Sequence, residues 1–150
     1  MTKNNRVLFL CTGNYYRSRY AEEVFNHYAG LEGLDWLAFS RAVAERLSPE
    51  NVGPISRYAL ETLQAKGIDP AGATRHPVLC TAGDFEQATL VIALKGTEHR
   101  PMIERRFAGV ADRVQYWDVD DIEYLDPAMA LAKIGEQVAL LIATLQSRPQ

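Results

Sequence analysis

Cys11 and Arg17 are the residues whose types and spacing most directly suggest chemistry. They bound the segment CTGNYYRS (11–18), a thiol at one end and a guanidinium near the other, with five residues between them. A loop of that length can wrap one tetrahedral oxyanion, because successive backbone N–H groups point inward and the following helix adds its positive end. Arg17 can meet two phosphoryl oxygens at once, which a lysine cannot. The same concentration of donors suits a thiolate nucleophile at Cys11. Gly13 and Asn14 take left-handed backbone angles most easily, and a tight loop is expected to use them. Ser18 can offer its hydroxyl to the sulfur or to the departing phosphoryl group. Thr12, Tyr15 and Tyr16 complete the expected substrate-binding wall. A cysteine at a strand end is commonly no more than a small buried hydrophobe. The Gly-Asn pair, the Arg-Ser pair and the apolar strand in front favour an anion-binding catalytic loop instead.

The surrounding elements must place that loop. RVLFL (6–10) is a short continuous apolar run, as expected of a parallel strand covered on both faces. Ala21, Val24, Phe25 and Tyr28 recur at helical spacing from Ser18 onward. DWLAFS (35–40) reads as a second strand, and a helix is expected from about Pro54 to Lys66 with Gly67 closing it. TLVIAL (89–94) is a third strand, preceded by a short helix capped by Thr81 or Asp84. A helix over about 98–107 leads to a fourth strand, DRVQYW (112–117). Asp126-Pro127 opens a long final helix, apolar at Ala130, Ile134, Val138, Leu141 and Leu145. Strands alternating with helices imply an α/β fold, a doubly wound parallel sheet with helices on both faces. Ligands bind such sheets beyond the carboxyl ends of the strands, where the loop holding Cys11 lies.

Composition narrows the classes. The 150 residues are expected to form a single domain over 1–150, and 47% hydrophobic with 23% charged residues is ordinary for a globular chain. A formal charge of -3 argues against a nucleic-acid partner. Two cysteines, Cys11 and Cys80, are too few for a disulfide framework. No uninterrupted apolar run reaches the ~18 residues of a membrane span, so a cytoplasmic protein without a membrane partner is expected. His27, His76 and His99 are scattered, without metal-ligand spacing, and no phosphate-binding or dinucleotide-binding glycine motif follows a strand. Neither a metal nor a cofactor is expected. EHRPMIERR (98–106) reads as a solvated helix face.

VLFLCTGNYYRS followed by AEEVF resembles the start of the low-molecular-weight protein tyrosine phosphatases, a family that includes related arsenate reductases. The likeness extends to Phe39-Ser40, LETLQAKGID (60–69), DFEQATLVIAL (84–94) and the acidic stretch near 118–121. It implies a flavodoxin-like four-stranded sheet and a cysteinyl-phosphate mechanism, with Cys11 as nucleophile and Arg17 as phosphate clamp. It also implies an aspartate late in the chain as general acid. Asp118, Asp120, Asp121 and Asp126 are candidates; Asp121 aligns best, Asp120 is second, and Asp126 also reads as a helix cap. The family braces its loop with an Asn, a Ser and a His: Asn14 and Ser40 match, whereas the histidine falls between Arg75 in the ungapped register and His76, which is given no role.

Several positions depart from the family pattern. Tyr16 stands where a second cysteine often occurs, so a disulfide with the nucleophile within that loop is unavailable. Ile122 and Glu123 replace the aromatic pair after the acid, and Arg46 replaces an aromatic wall residue. Arg19, Arg41 and Arg46 suggest a more acidic substrate. The implied function is a cysteine-dependent phosphatase acting on phosphomonoesters, with a phosphorylated protein or small phosphomonoester as partner and protein phosphotyrosine as the leading substrate. The alternatives are an arsenate reductase-like enzyme using an external thiol, since Cys80 has no later partner for a relay, and a non-catalytic phosphate- or phosphoprotein-binding module.

Overall fold

The computed structural model describes residues 3–70 and 74–147. Its centre is a four-stranded sheet of β1 (Asn5–Cys11), β2 (Trp36–Ala42), β3 (Leu90–Ala93) and β4 (Gln115–Tyr116). The order is β2-β1-β3-β4 and every strand pair is parallel. The helices are α1 (Arg17–Leu31), α2 (Arg57–Ala65), α3 (Ala82–Gln87), α4 (Gly96–Arg106) and α5 (Pro127–Ser147). This is the doubly wound parallel arrangement that the strand–helix alternation implies, in the flavodoxin-like four-stranded form that the resemblance implies.

The pleat of β1 decides where the thiol goes. Val7, Phe9 and Cys11 belong to one core with α1, α2 and α5, whereas Leu8 and Leu10 belong to the other, with Phe85 of α3 and Ile103 of α4. Alternation with period two therefore sends the Cys11 side chain to the face on which α1 begins. Phe9 is fully buried and meets Phe25 edge-on at 6.1 Å. Truncating such a residue to alanine costs about 3–5 kcal/mol. It would loosen the strand that delivers the nucleophile.

Most element boundaries fall within a turn of the sequence reading. α2 starts at Arg57 rather than Pro54, because Ser56 is the cap, its Oγ accepting from Tyr58 N at 3.2 Å. Thr81 caps α3 in a capping box with Asp84. α4 starts earlier than expected, at Gly96, where a Cβ would lie 3.2 Å from Tyr116 Cβ, so glycine eases a close approach of the helix to β4. β4 is much shorter than 112–117, since Ala111–Arg113 wind into a 3-10 turn. The chain nevertheless stays against β3: Trp117 N donates to Ala93 O at 2.9 Å and Val119 N to Leu94 O at 2.8 Å. In α5 the buried stripe runs through Ile142, leaving Leu141 partly buried. α5 is long and apolar enough to cross a membrane by length and composition, but its stripe packs on α1 within this core.

Candidate active site

Cys11 ends β1 and Ser18 sits in the first turn of α1, so the loop between them is closed by two regular elements. Cys11 Sγ lies 3.0 Å from Ser18 Oγ. Asn14 is fully buried in the left-handed region at φ 51°, and both ends of its amide are used. Its Nδ2 donates to Ser18 Oγ at 2.9 Å and to Ser40 Oγ at 2.8 Å. Its Oδ1 accepts from Val78 N at 3.1 Å and from Arg75 at 3.2 Å. Ser18 Oγ already accepts from Asn14, which leaves its hydroxyl proton free to point at the sulfur. Gly13 does not take the left-handed angle expected of it. A Cβ there would lie 3.2 Å from Asn51 Nδ2, a close approach that a shift of the Asn51 side chain could relieve.

Arg75 fills the bracing position left open between it and His76. Beyond Asn14, its guanidinium donates to Ser40 Oγ at 3.2 Å and to Glu22 Oε1 at 3.1 Å. Ser40 in turn donates to Glu22 Oε1 at 2.5 Å. Ser18, Asn14, Ser40, Arg75 and Glu22 thus form one connected network behind the loop. Such networks rigidify a site when every member is satisfied.

Arg17 is 1% exposed and held from the far side. One terminal nitrogen donates to Val119 O at 2.9 Å; the other donates to Glu98 Oε2 at 2.5 Å and lies 3.5 Å from Asp121 Oδ2. Two of its five N–H groups are so fixed by hydrogen bonds, and the other three have no hydrogen bond among the described residues. Burial opposes the Arg17 charge, but Cys11, Glu98 and Asp121 outweigh it and raise its pKa. Thr12 Oγ1 also donates to Glu98 Oε2 at 2.5 Å. Behind them His99 is fully buried: its Nδ1 accepts from Lys95 N at 3.0 Å, which places the proton on Nε2, 2.7 Å from Glu98 Oε2. Burial lowers the His99 pKa and keeps the ring neutral. Burial works the other way on Glu98, but hydrogen bonds from His99 and Arg17, with Thr12, hold its carboxyl far below the usual range.

Glu98 and His99 are the site residues that sequence reasoning missed. Their segment reads as a solvated basic face, and scattered histidines fit no metal spacing. The correction comes from α4, whose first turn packs against the loop; a fully buried His99 is no surface residue. Nothing in their local sequence carries that signal.

The loop opens on a cavity of about 600 Å³ lined by Cys11, Thr12, Tyr15, Arg17, Tyr58 and Asp121, among others. Tyr15 is half-buried and donates to Val52 O at 2.5 Å, tying the loop to the 48–53 segment. Of the four aspartates, Asp121 alone lines the cavity. Asp118 and Asp120 both pair with Lys95, the latter at 3.0 Å, and Asp126 Oδ1 caps α5 by accepting from Ala128 N at 2.8 Å. The three arginines expected to favour an acidic substrate are placed elsewhere. Arg19 is fully buried, donating to Pro54 O and Arg75 O at 2.9 Å; Arg41 pairs with Asp84 at 3.3 Å. Arg46 lines a separate, smaller cavity with Arg105 and Arg106. The mouth of the active-site cavity carries Glu50 and Glu123 against Arg57. Cys80 is buried, and burial pushes its thiol up to about 12.

Comparison with known proteins agrees with this geometry. The family model of the low molecular weight phosphotyrosine protein phosphatases matches residues 6–145. Among solved structures, YfkJ from Bacillus subtilis superposes with a TM-score of 0.82 at 22% identity, covering 97% of each chain. The low molecular weight protein tyrosine phosphatase from T. tengcongensis superposes at 0.74 with 30% identity over 94% of this chain and 97% of its own. The arginine phosphatase YwlE, solved as a Cys-to-Ser mutant with a phosphorylated active-site serine, superposes at 0.77 with 26% identity over 95% and 96%. No curated protein sequence matches. A family match across nearly the whole chain, on a fold that closes this loop around a thiol and a guanidinium, gives one conclusion: the chain belongs to the low molecular weight phosphotyrosine protein phosphatase family and is a phosphatase.

Proposed function

We propose that this phosphatase hydrolyses phosphomonoesters, with protein phosphotyrosine as the leading substrate, through a cysteinyl-phosphate intermediate. The phosphoryl group sits in the loop 11–18, held by backbone N–H groups and by the free N–H groups of Arg17. The Cys11 thiolate attacks phosphorus in line, and Ser18 stabilises the sulfur as it becomes the leaving group of the second step. Asp121 protonates the departing oxygen, then as a carboxylate takes a proton from the water that cleaves the S–P bond. The observation that carries this reading is the convergence of Cys11, Arg17 and Asp121 on one cavity. A binding module without turnover has no use for a thiol and a facing carboxylate in that arrangement.

A second substrate class has support from the acidic mouth formed by Glu50 and Glu123, which suits a cationic leaving group better than the acidic substrate that Arg19, Arg41 and Arg46 suggested. The likeness to an arginine phosphatase points the same way, toward phosphoarginine. Hydrolysis of an aryl phosphate and of phosphoarginine by wild type, Cys11→Ser and Asp121→Asn tests both, with arsenate as a parallel substrate. Loss of turnover in Cys11→Ser and a fall of about 10²-fold or more in Asp121→Asn with the aryl phosphate is expected. Full turnover in Cys11→Ser would sink the mechanism. Tight phosphate binding without any turnover by wild type would return the weight to a binding module.

A further inference from the structure

Tyr16 carries a polar group beside the catalytic cavity that the mechanism above leaves unused. The residue is 7% exposed and lines the cavity with Cys11, Arg17 and Asp121, yet its hydroxyl is buried with no hydrogen-bond partner among the described residues. A buried hydroxyl left unpaired costs about 1–3 kcal/mol. Tyr20, one turn further along α1, shares that state but lies in the groove between α1 and α5, among no reacting groups. Tyr16 differs because its neighbours are the catalytic charges.

Those neighbours narrow the choice of partner. Burial first, and then the charge of Asp121, push the phenol up to about 12, so it remains a donor at any neutral pH. Of the charged groups that influence it, Arg17 only donates, and Asp126 caps α5 and does not line the cavity. Asp121 is different. Its Oδ1 accepts from Ile122 N at 2.8 Å, while Oδ2 has, among the described residues, only the 3.5 Å ion pair with Arg17. A phosphoryl dianion in the loop competes for that guanidinium, and Asp121 must leave it to face the departing oxygen.

We propose that the Tyr16 hydroxyl then hydrogen-bonds the released Asp121 carboxyl and holds it over the reacting oxygen, as a positioning residue. In the first half-reaction the phenol donates to the C=O oxygen of the protonated acid. In the second it donates to the carboxylate while the other oxygen takes the proton from water. Tyr16 keeps its own proton throughout. The inference rests on Asp121 as acid and base, and it gives a use to the tyrosine standing where the family often carries a second cysteine.

Tyr16→Phe removes only the hydroxyl. With an aryl phosphate, kcat should fall about tenfold, the scale of one hydrogen bond to a charged group. KM and inhibition by inorganic phosphate should be unchanged, since the loop is intact. In an Asp121→Asn background the same change should cost nothing further. An unimpaired Tyr16→Phe, or an equal additional loss in the Asp121→Asn background, overturns the proposal. Should Tyr16→Phe fail to fold, the Tyr16 ring-carbon resonance can be followed in wild type labelled with 13Cζ-tyrosine. Saturation with inorganic phosphate should move it in wild type and not in Asp121→Asn; an unmoved resonance in wild type counts against the idea. Wild-type kcat in Asp121→Asn would remove the acid itself and Tyr16's role with it. A slow Asp121→Asn beside an unimpaired Tyr16→Phe would remove only the latter.

Discussion

The two sides of the cavity are built on different terms. On the inner side, Asn14, Ser18, Ser40, Arg75 and Glu22 are tied by hydrogen bonds of 2.5–3.2 Å, and Arg17 is clamped by Glu98 and Val119. On the outer side, Glu50, Arg57 and Glu123 are exposed, and Ile122 is 43% exposed. A largely buried network of mutual hydrogen bonds resists displacement, because moving one member leaves another unpaired where water is scarce. Exposed charges at a rim are screened and contribute little to folding. The inner side is therefore suited to hold one tetrahedral anion in one geometry, and the outer side is free to choose what is attached to it.

The sharpest way to break that contrast is at Arg17. Arg17→Lys keeps the charge but loses the planar fork that reaches Glu98, Val119 and the anion together. We expect kcat/KM for an aryl phosphate to drop by about 10²–10³-fold, the scale of losing one preorganised oxyanion donor. A loss of only a few-fold would show that charge alone suffices.

Asn14→Ala is next in size. It removes the amide that joins Ser18, Ser40, Arg75 and Val78, and it leaves a left-handed angle to an ordinary residue. Stability should fall by about 2–4 kcal/mol in denaturant unfolding. Asn14→Gly relieves the angle but not the lost bonds, so it should recover only part of that loss. Full recovery would assign the effect to backbone strain.

Acid should weaken the inner side first. His99 is buried neutral with a lowered pKa, so the unfolded chain binds the proton more readily and stability falls as pH drops below about 6.5, the unfolded value. Glu98, also lowered, keeps its contribution until pH falls below about 4.3, its unfolded value, and then loses it progressively. Both terms carry the same sign. Melting temperature measured from pH 7 to pH 5 should fall, and His99→Gln should flatten that slope; an unchanged slope would contradict the buried neutral ring.

The smallest effect belongs to the rim. The double change Glu50→Gln with Glu123→Gln should leave melting unchanged within about 0.5 kcal/mol. It should reduce kcat/KM for a phosphopeptide with basic flanks by about 3–10-fold at low salt, and less as salt is raised. An equal effect on basic and acidic peptides would mean that the rim does not select by charge.

Much of the inner side is legible in the sequence, but not all of it for the same reason. Cys11, Asn14, Arg17 and Ser18 are close in the chain, and their spacing alone defines a loop of the length that can wrap an anion. Ser40 and Arg75 require a second stretch of resemblance, and Arg75 is settled only when its guanidinium is seen reaching Asn14 and Glu22. Glu98 and His99 are invisible locally, since what makes them part of the site is the packing of the first turn of α4 against the loop. Among the aspartates, alignment favours Asp121, while the pairing of Asp118 and Asp120 with Lys95 and the capping by Asp126 are tertiary facts. The reading of Arg19, Arg41 and Arg46 as substrate determinants finds no support in their placement. Arg19 is buried, Arg41 pairs with Asp84 and Arg46 lines a separate cavity, none of which charge in a sequence reveals.

The sequence by itself determined the strand–loop–helix that joins a thiol to a guanidinium, and the alternation of elements that makes a parallel sheet. Both follow from local spacing and periodicity, which are properties of neighbouring residues. The tertiary structure decided which distant carboxylate clamps Arg17, which aspartate faces the cavity, and where Tyr16 leaves its hydroxyl unpaired. Those outcomes depend on packing between α4, the 118–126 segment and the loop, residues about 80 to 110 positions apart that meet only when the sheet has brought their elements to one edge.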